Sequence, residues 1–427
     1  MRAIYSLLFY LLIPFILIRL LWRSIKAPAY RERWNERFAI YHTAYPTIDI
    51  WFHAVSVGET HAAKPLILEL LNTYPEHDIL LTGMTPTGRA AGRECFGVEK
   101  FGAAAGRVHQ AYLPYDYPGA VTRFLMHFQP ELGLLMETEL WPNLMAACQT
   151  RHVPVVLVNA RLSARSAKGY QRFSGLTRPA FQQLQRVAAQ SDADAQRFRE
   201  LGALHVEVCG NLKFDVTPDP VKTQLGQAWK SQIAERPVWL AASTREGEEQ
   251  ELVAAHQTIL KERPDALCIL VPRHPQRFVE VALLAEQAGL SVIRRSQGLP
   301  QPDTQVWLGD SMGEMAAYYA ATSISVIGGS WQPLGGQNLI EAAACGSPIV
   351  VGPHTFNFAQ ATEDALAAGA VLRLADCAEI PLCLLGFWRD AQQQHRMRHA
   401  AHHFAIQHQG ATQRILATIV GIIRPLD

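Results

Sequence analysis

The chain has 427 residues, too many for one ordinary hydrophobic core, so two domains are expected. Its 49% apolar residues are the composition of a globular protein, and 39 Lys plus Arg against 38 Asp plus Glu give no global charge that would mark nucleic acid as a partner. The seven cysteines are scattered with no C-x-x-C, which argues against a disulfide framework or a structural zinc site and fits a reducing compartment.

In chain order, residues 4–22 form a nearly unbroken apolar run, interrupted mainly by Pro14 and Arg19. The run roughly matches the ~20 residues needed to cross a bilayer. Arg23, Lys26, Arg31, Arg33 and Arg37 follow it, against Glu32 and Glu36. No small-x-small cleavage pattern follows, and the positive charge lies on the wrong side for a signal peptide. The reading is a signal anchor in a membrane, spanning it or lying in its interface, with the bulk of the chain on the cytoplasmic side. Residues 1–40 are thus anchor and basic flank. Short apolar runs then alternate with longer amphipathic stretches. Strands are predicted at 48–54, 79–82, 132–136, 153–159, 187–190 and 205–209, with helices such as 62–72 and 177–184 between them. At 211–223 the pattern breaks around two prolines, as in a linker. Alternation restarts with strands at 238–242, 266–271, 290–294, 305–308, 323–327, 348–351 and 371–374. The predicted architecture is α/β: two Rossmann-like domains, 41–216 and 226–427, joined by a linker at 217–225. That is the outline of a GT-B glycosyltransferase, whose ligands sit at the carboxyl ends of the strands, in a cleft between the halves.

The most informative segment runs from Ile50 to Glu59. A strand enters a tight turn and then a helix starting near Thr60. Ser56 and Glu59 have the S-x-x-E spacing of a capping box, in which Glu59 reaches back to the Ser56 N–H. The alternative is chemical. A carboxylate at a helix N-terminus is held ionised by the dipole, as deprotonating a sugar hydroxyl requires, and Gly58 would let an acceptor come close. Local sequence leaves both open.

The stretch His53-Ala-Val-Ser-Val-Gly-Glu59 resembles the signature of the bacterial 3-deoxy-D-manno-octulosonic acid (Kdo) transferases of lipopolysaccharide synthesis. Six more blocks follow in the same order. They begin at Met136-Glu-Thr-Glu-Leu-Trp-Pro-Asn143, Asn159-Ala-Arg-Leu-Ser-Ala-Arg-Ser166 and Gly210-Asn-Leu-Lys-Phe-Asp215. They continue with Ala242-Ser-Thr-Arg-Glu-Gly-Glu-Glu249, Pro272-Arg-His-Pro275, and Gly328-Gly-Ser330 with Gly335-Gly-Gln-Asn338 and Glu341. The resemblance implies that Glu59 is the general base and that Glu137 or Glu139 assists at the acceptor side, with Ser56 and Gly58 lining it. It implies CMP-Kdo as donor and a lipid A precursor as acceptor, transfer with inversion, and no cofactor, metal or nucleic acid. Arg161, Arg165 and Lys168 follow a predicted strand, and guanidinium groups bind phosphate bidentately, as a phosphorylated lipid would need. Arg89, Arg93, Lys100 and Arg107 would extend that basic surface, or form an ordinary solvated face.

The second half would hold the nucleotide sugar. Ser243, Thr244 and Arg245 follow one strand and Pro272, Arg273 and His274 end another. Met312, Gly313 and Glu314 would read the cytosine. Ser330 and Gly335, Gly336, Gln337 and Asn338 form a glycine-rich entry to a helix at 339–344, whose start favours phosphate. Glu341 would bind ribose hydroxyls. Each alone is an ordinary turn or cap; four after four strands of one domain are what a nucleotide site needs. There is no P-loop, no H-E-x-x-H and no well-placed G-x-G-x-x-G. His395, His399, His402 and His403 read as a solvated helix face. The rival readings are another GT-B transferase using a UDP-sugar, and a non-catalytic membrane adaptor that keeps the fold.

Overall fold

The computed structural model describes residues 1–97, 106–233 and 236–423. Two compact units make up the chain: Met1–Asp215 together with everything from Gln409 onward, and Val216–His408.

The first unit is built on strands β1 (Ile50–His53), β2 (Ile79–Gly83), β3 (Val108–Tyr112), β4 (Leu132–Met136), β5 (Val155–Ala160), β6 (Arg186–Ala189) and β7 (Val206–Val208). All pairs are parallel, in the order β3-β2-β1-β4-β5-β6-β7. Such a sheet must be covered on both faces, and the strand side chains divide accordingly. Trp51, Leu135 and Leu157 join one core, while Phe52, Leu134 and Val156 join the other. Gly133 is needed in β4 because a Cβ there would lie 2.9 Å from the Trp51 ring.

The second unit repeats the plan with β8 (Val238–Thr244), β9 (Leu267–Pro272), β10 (Val292–Arg294), β11 (Val306–Leu308), β12 (Ile324–Ile327), β13 (Ile349–Val351) and β14 (Val371–Arg373). Its sheet runs β10-β11-β9-β8-β12-β13-β14, again all parallel. The first sheet's strand order reverses between β1 and β4, and the second sheet likewise reverses between β8 and β12, with β10 and β11 exchanged at its far edge. Such switch points are where open α/β sheets bind ligands.

The structure departs from the sequence reading in three places. The edge strand β3 falls where no strand was predicted. The linker expected at 217–225 is shorter, because the helix Pro220–Ile233 starts inside it. The domain expected at 226–427 does not keep its last segment. Helix Ala411–Val420 belongs to the first unit, where Ile415 and Ile419 are fully buried beside Leu66 and Leu70. Asp215 fixes the return by accepting the backbone N–H groups of Gly410, Ala411 and Thr412. Arg414 adds a bond to the Cys209 carbonyl at 2.8 Å.

Candidate active site

On the first unit the chemistry gathers at the β1/β4 switch point. β1 ends at His53, and Ser56 caps the helix Val57–Thr73. The Ser56 hydroxyl accepts the Glu59 N–H at 3.3 Å and donates to one Glu59 carboxylate oxygen at 2.9 Å. The other carboxylate oxygen accepts the Val55 N–H at 2.9 Å. A capping box is therefore present, but the carboxylate reaches one residue further back than the Ser56 N–H. The helix start does not keep Glu59 in the ordinary carboxylate range. Burial raises its pKa and the nearby Glu137 and Glu139 charges add to it, outweighing the hydrogen bonds from Val55 and Ser56; the result is about 7. Gly58 is exposed, and a Cβ there would meet nothing nearer than the Ser56 hydroxyl at 3.9 Å, so the backbone beside the half-buried Glu59 is uncovered at this one residue.

Glu137 follows β4 with φ +54, a left-handed backbone rare outside glycine and concentrated at functional sites. Its N–H still bonds the Val158 carbonyl at 3.1 Å, and among the described residues its carboxylate has no hydrogen-bond partner. Glu139 is different: it accepts the Trp141 indole N–H at 3.1 Å, and burial raises its pKa. Arg161 and Arg165 are exposed beyond β5, and the Arg161 carbonyl accepts the Thr138 hydroxyl, which ties their loop to the Glu137–Glu139 turn. Lys168 and Arg93 are exposed as well. Arg107 is neither a ligand nor a solvated charge. Its guanidinium binds the Leu71, Tyr74 and His77 carbonyls at 3.0–3.2 Å, closing the end of the helix Val57–Thr73. Lys100 lies outside the described residues.

On the second unit the loops after β8 and β12 are drawn together by one carboxylate. Glu248 is fully buried and accepts the N–H groups of Arg245 (2.9 Å), Gly329 (2.8 Å) and Trp331 (3.0 Å). Gly328 is required at this join, since a Cβ would stand 2.6 Å from the Ser243 carbonyl oxygen. Ser243 has φ +56, and the Arg273 N–H bonds the Thr244 carbonyl at 2.9 Å, which places Arg273 beside the β8 loop. The Gly335–Asn338 turn joins the same cluster through Gly336 N–H to Gly329 O (2.7 Å) and Gln337 N–H to Gly328 O (3.0 Å).

Two hydroxyls predicted to meet ligand are instead internal braces. Thr244 and Ser330 are fully buried; Thr244 donates to Glu249 at 3.2 Å, and Ser330 links the Ile327 carbonyl to the Gly352 N–H. The helix start expected to hold phosphate is also weaker than predicted. Leu339–Ala344 is one of the shortest helices, and Asn338 already accepts the Ile340 N–H. The groups that face outward are cationic. Arg273 is exposed and Arg245 half-buried, and His274 between them is held below its usual pKa by burial and by Arg245, Arg273 and Arg277. Glu341 is half-buried; burial raises its pKa, opposed by Asn338 and Arg273. Pro272 is buried, whereas Met312 and Gly313 are exposed. Glu314 is tied to Arg295 at 3.3 Å and accepts the Ser311 hydroxyl at 2.6 Å.

A family profile described as 3-Deoxy-D-manno-octulosonic-acid transferase (kdotransferase) matches residues 32–216. A 3-deoxy-D-manno-octulosonic acid transferase of Bordetella pertussis is 46% identical over 372 residues, covering 86% of each chain. The chain belongs to the Kdo transferase family. A second Kdo transferase, from Haemophilus influenzae, is 36% identical over 425 residues and 97% of each chain. Among solved structures, a glycosyltransferase from Rickettsia africae aligns with TM-score 0.57 and 13% identity, over 90% of this chain and 100% of that one. The two doubly wound units thus form a GT-B fold, and the enzyme is a glycosyltransferase that transfers Kdo.

Sequence reasoning missed three buried charges of this Kdo transferase. Glu248 stands in the Ala242–Glu249 block with no role read for it; its signal is the spacing from Arg245, the same three residues that separate Ser56 from Glu59. Glu36 and Arg37 were assigned to a basic flank, yet both are buried. Glu36 accepts the Tyr112 N–H at 3.0 Å and pairs with Arg33 and Arg89 at 2.7 and 3.3 Å; Arg37 lies over the Tyr112 ring at 4.1 Å. Arg89 is thereby occupied within the protein. Nothing in the local sequence distinguishes these residues from their exposed neighbours.

Proposed function

We propose that the enzyme moves Kdo from CMP-Kdo to a hydroxyl of the lipid A precursor lipid IVA, in lipopolysaccharide inner-core synthesis, with Glu59 as general base. The observation that carries this reading is the Glu59 carboxylate: fixed by Val55 and Ser56, half-buried next to the exposed Gly58, and raised to about 7. A base poised near the working pH combines a useful deprotonated fraction with real affinity for the proton. Glu59 takes the proton of the acceptor hydroxyl as that oxygen bonds to the anomeric carbon of Kdo. The bond from that carbon to the CMP phosphate oxygen breaks on the opposite face, so the configuration inverts. Glu137, whose carboxylate is uncommitted, orients the acceptor; Glu139, held by Trp141, shapes the turn around it. Arg161 and Arg165 meet lipid phosphate. Arg245 and Arg273 offset the charge on departing CMP, the work a metal ion does in other transferases. Glu341 reads the ribose. The apolar first helix holds the enzyme to the inner membrane, with both units on the cytoplasmic side.

Purified enzyme given labelled CMP-Kdo and lipid IVA in detergent should place label in the lipid, and Glu59→Ala should abolish it. Label transferred only from a UDP-sugar would overturn the donor assignment. Full activity of Glu59→Ala would remove Glu59 from its role.

A further inference from the structure

The first helix, Arg2–Lys26, has two faces that the sequence does not separate, because both are largely apolar. Tyr5, Phe9, Ile13, Ile16, Leu20 and Ser24 are buried or half-buried, and they recur every three or four residues along its whole length. Phe9 packs on the first unit's core. The Ser6 hydroxyl donates to the Asn143 side-chain oxygen at 2.9 Å, and the Tyr5 hydroxyl lies beside Asp116. Both partners are buried, at 4% and 1% exposure. Further along, the Tyr10 and Tyr117 rings are 5.5 Å apart, and Arg19 and Arg23 come within electrostatic reach of Tyr115. At the other end Met1 touches the position of Gly175. The opposite face is a second stripe, Ile4, Leu8, Leu11, Phe15, Ile18 and Trp22, each 53–68% exposed.

We propose that this helix is an in-plane, monotopic anchor: the Ile4-to-Trp22 stripe lies in the acyl layer of one leaflet while the other stripe stays docked on the first unit. The partner is a phospholipid bilayer. At 1.5 Å per residue the helix is long enough to cross the ~30 Å hydrocarbon layer, so length does not decide the matter. The dock decides it, because it runs from the first turn to the last. A spanning helix would either draw Asp116, Asn143 and the backbone around them into hydrocarbon or strip them from the helix, which would leave the Tyr5 hydroxyl in hydrocarbon without Asp116 and Ser6 with only the Arg2 carbonyl. Lying flat satisfies both faces together. The exposed Arg2, Arg19 and Arg23 then sit at headgroup level, where anionic lipid attracts them. The inference goes beyond membrane anchoring itself and can fail separately from it.

The test uses full-length enzyme on vesicles of phosphatidylethanolamine and phosphatidylglycerol. Single cysteines replace Ile4, Leu8, Leu11, Phe15, Ile18 and Trp22 in turn, each carrying a spin label whose depth is read by collision with oxygen and a water-soluble nickel chelate. The in-plane anchor predicts one shallow depth of about 5–10 Å at all six positions. A profile deepest at Leu11 and Phe15, with Ile4 at the far headgroups, overturns the proposal and leaves anchoring intact. Failure to bind vesicles overturns both. As a second arm, a Ser6→Cys, Asn143→Cys pair is oxidised to lock the dock. Locked and reduced protein should bind vesicles within twofold of each other; a tenfold loss on locking overturns the proposal.

Discussion

Glu59 and Glu248 occupy matching places in the two units. Each follows the first strand of its sheet, each stands at the start of a helix, and each folds its carboxylate back onto the preceding loop. They differ in what surrounds them. Glu248 is sealed from solvent and receives three backbone N–H groups from two loops, so its hydrogen-bonding capacity is directed inward. Glu59 receives one N–H and one hydroxyl, is half-buried, and has two like-charged neighbours. One local device thus yields a brace when its carboxylate is saturated and, on the function proposed above, a reagent when it is left short of donors and long on negative charge. The count of donors and the access to solvent distinguish the two.

Four measurements can break or sharpen this contrast. Glu59→Ala should lower kcat by about 10²–10⁴-fold, the usual worth of a general base, with the fold unharmed. Glu248→Ala should do the reverse. It strands three N–H groups, two of them in the glycine-rich turn, and should cost about 2–4 kcal/mol of stability in denaturant unfolding. Residual turnover would persist at low temperature, with a raised KM for the nucleotide sugar. If the two alanine variants gave the same pattern, the division into reagent and brace would fall.

The third measurement uses linkage. The fold raises Glu59 from 4.5 to about 7, so the folded state holds this proton more tightly than the unfolded chain. The stabilisation is fully present below pH ~4.5 and is lost as pH rises through about 7, where the buried group must ionise. Glu59→Gln removes that loss. It should be more stable than the parent by about 1–2 kcal/mol at pH 8, with the gain vanishing below pH 5. A gain of equal size at both pH values would show that packing, not ionisation, is responsible. The smallest effect concerns Glu137. In the parent, kcat/KM should fall on the acid side with an inflection near pH 7. Glu137→Gln removes a neighbouring negative charge and should move that inflection down by about half a unit. An unmoved inflection would detach Glu137 from Glu59.

Much of the fold was legible because parallel strands buried on both faces are written as short apolar runs, and these stand out between amphipathic helices. β3 was not, because Val108-His-Gln-Ala-Tyr112 lies at the sheet edge with only Ala111 and Tyr112 buried and never forms such a run. The positions of Glu59 and Glu137 were legible as residues at strand ends. The raised pKa of Glu59 was not, since it depends first on burial and then on Glu137 and Glu139 being brought across from β4. The braces were the least visible. Thr244 and Ser330 look like ligand hydroxyls until burial shows them turned inward, and Arg107 looks like surface charge until three carbonyls are found around it.

The return of the last helix to the first unit bears on how the chain is made. Ile415 and Ile419 complete a core begun by Leu66 and Leu70, and Asp215 waits for N–H groups almost two hundred residues later. At about 5–20 residues per second of synthesis, the first unit stands unfinished on the ribosome for ten seconds or more. The first unit is therefore expected to close last although its synthesis began first.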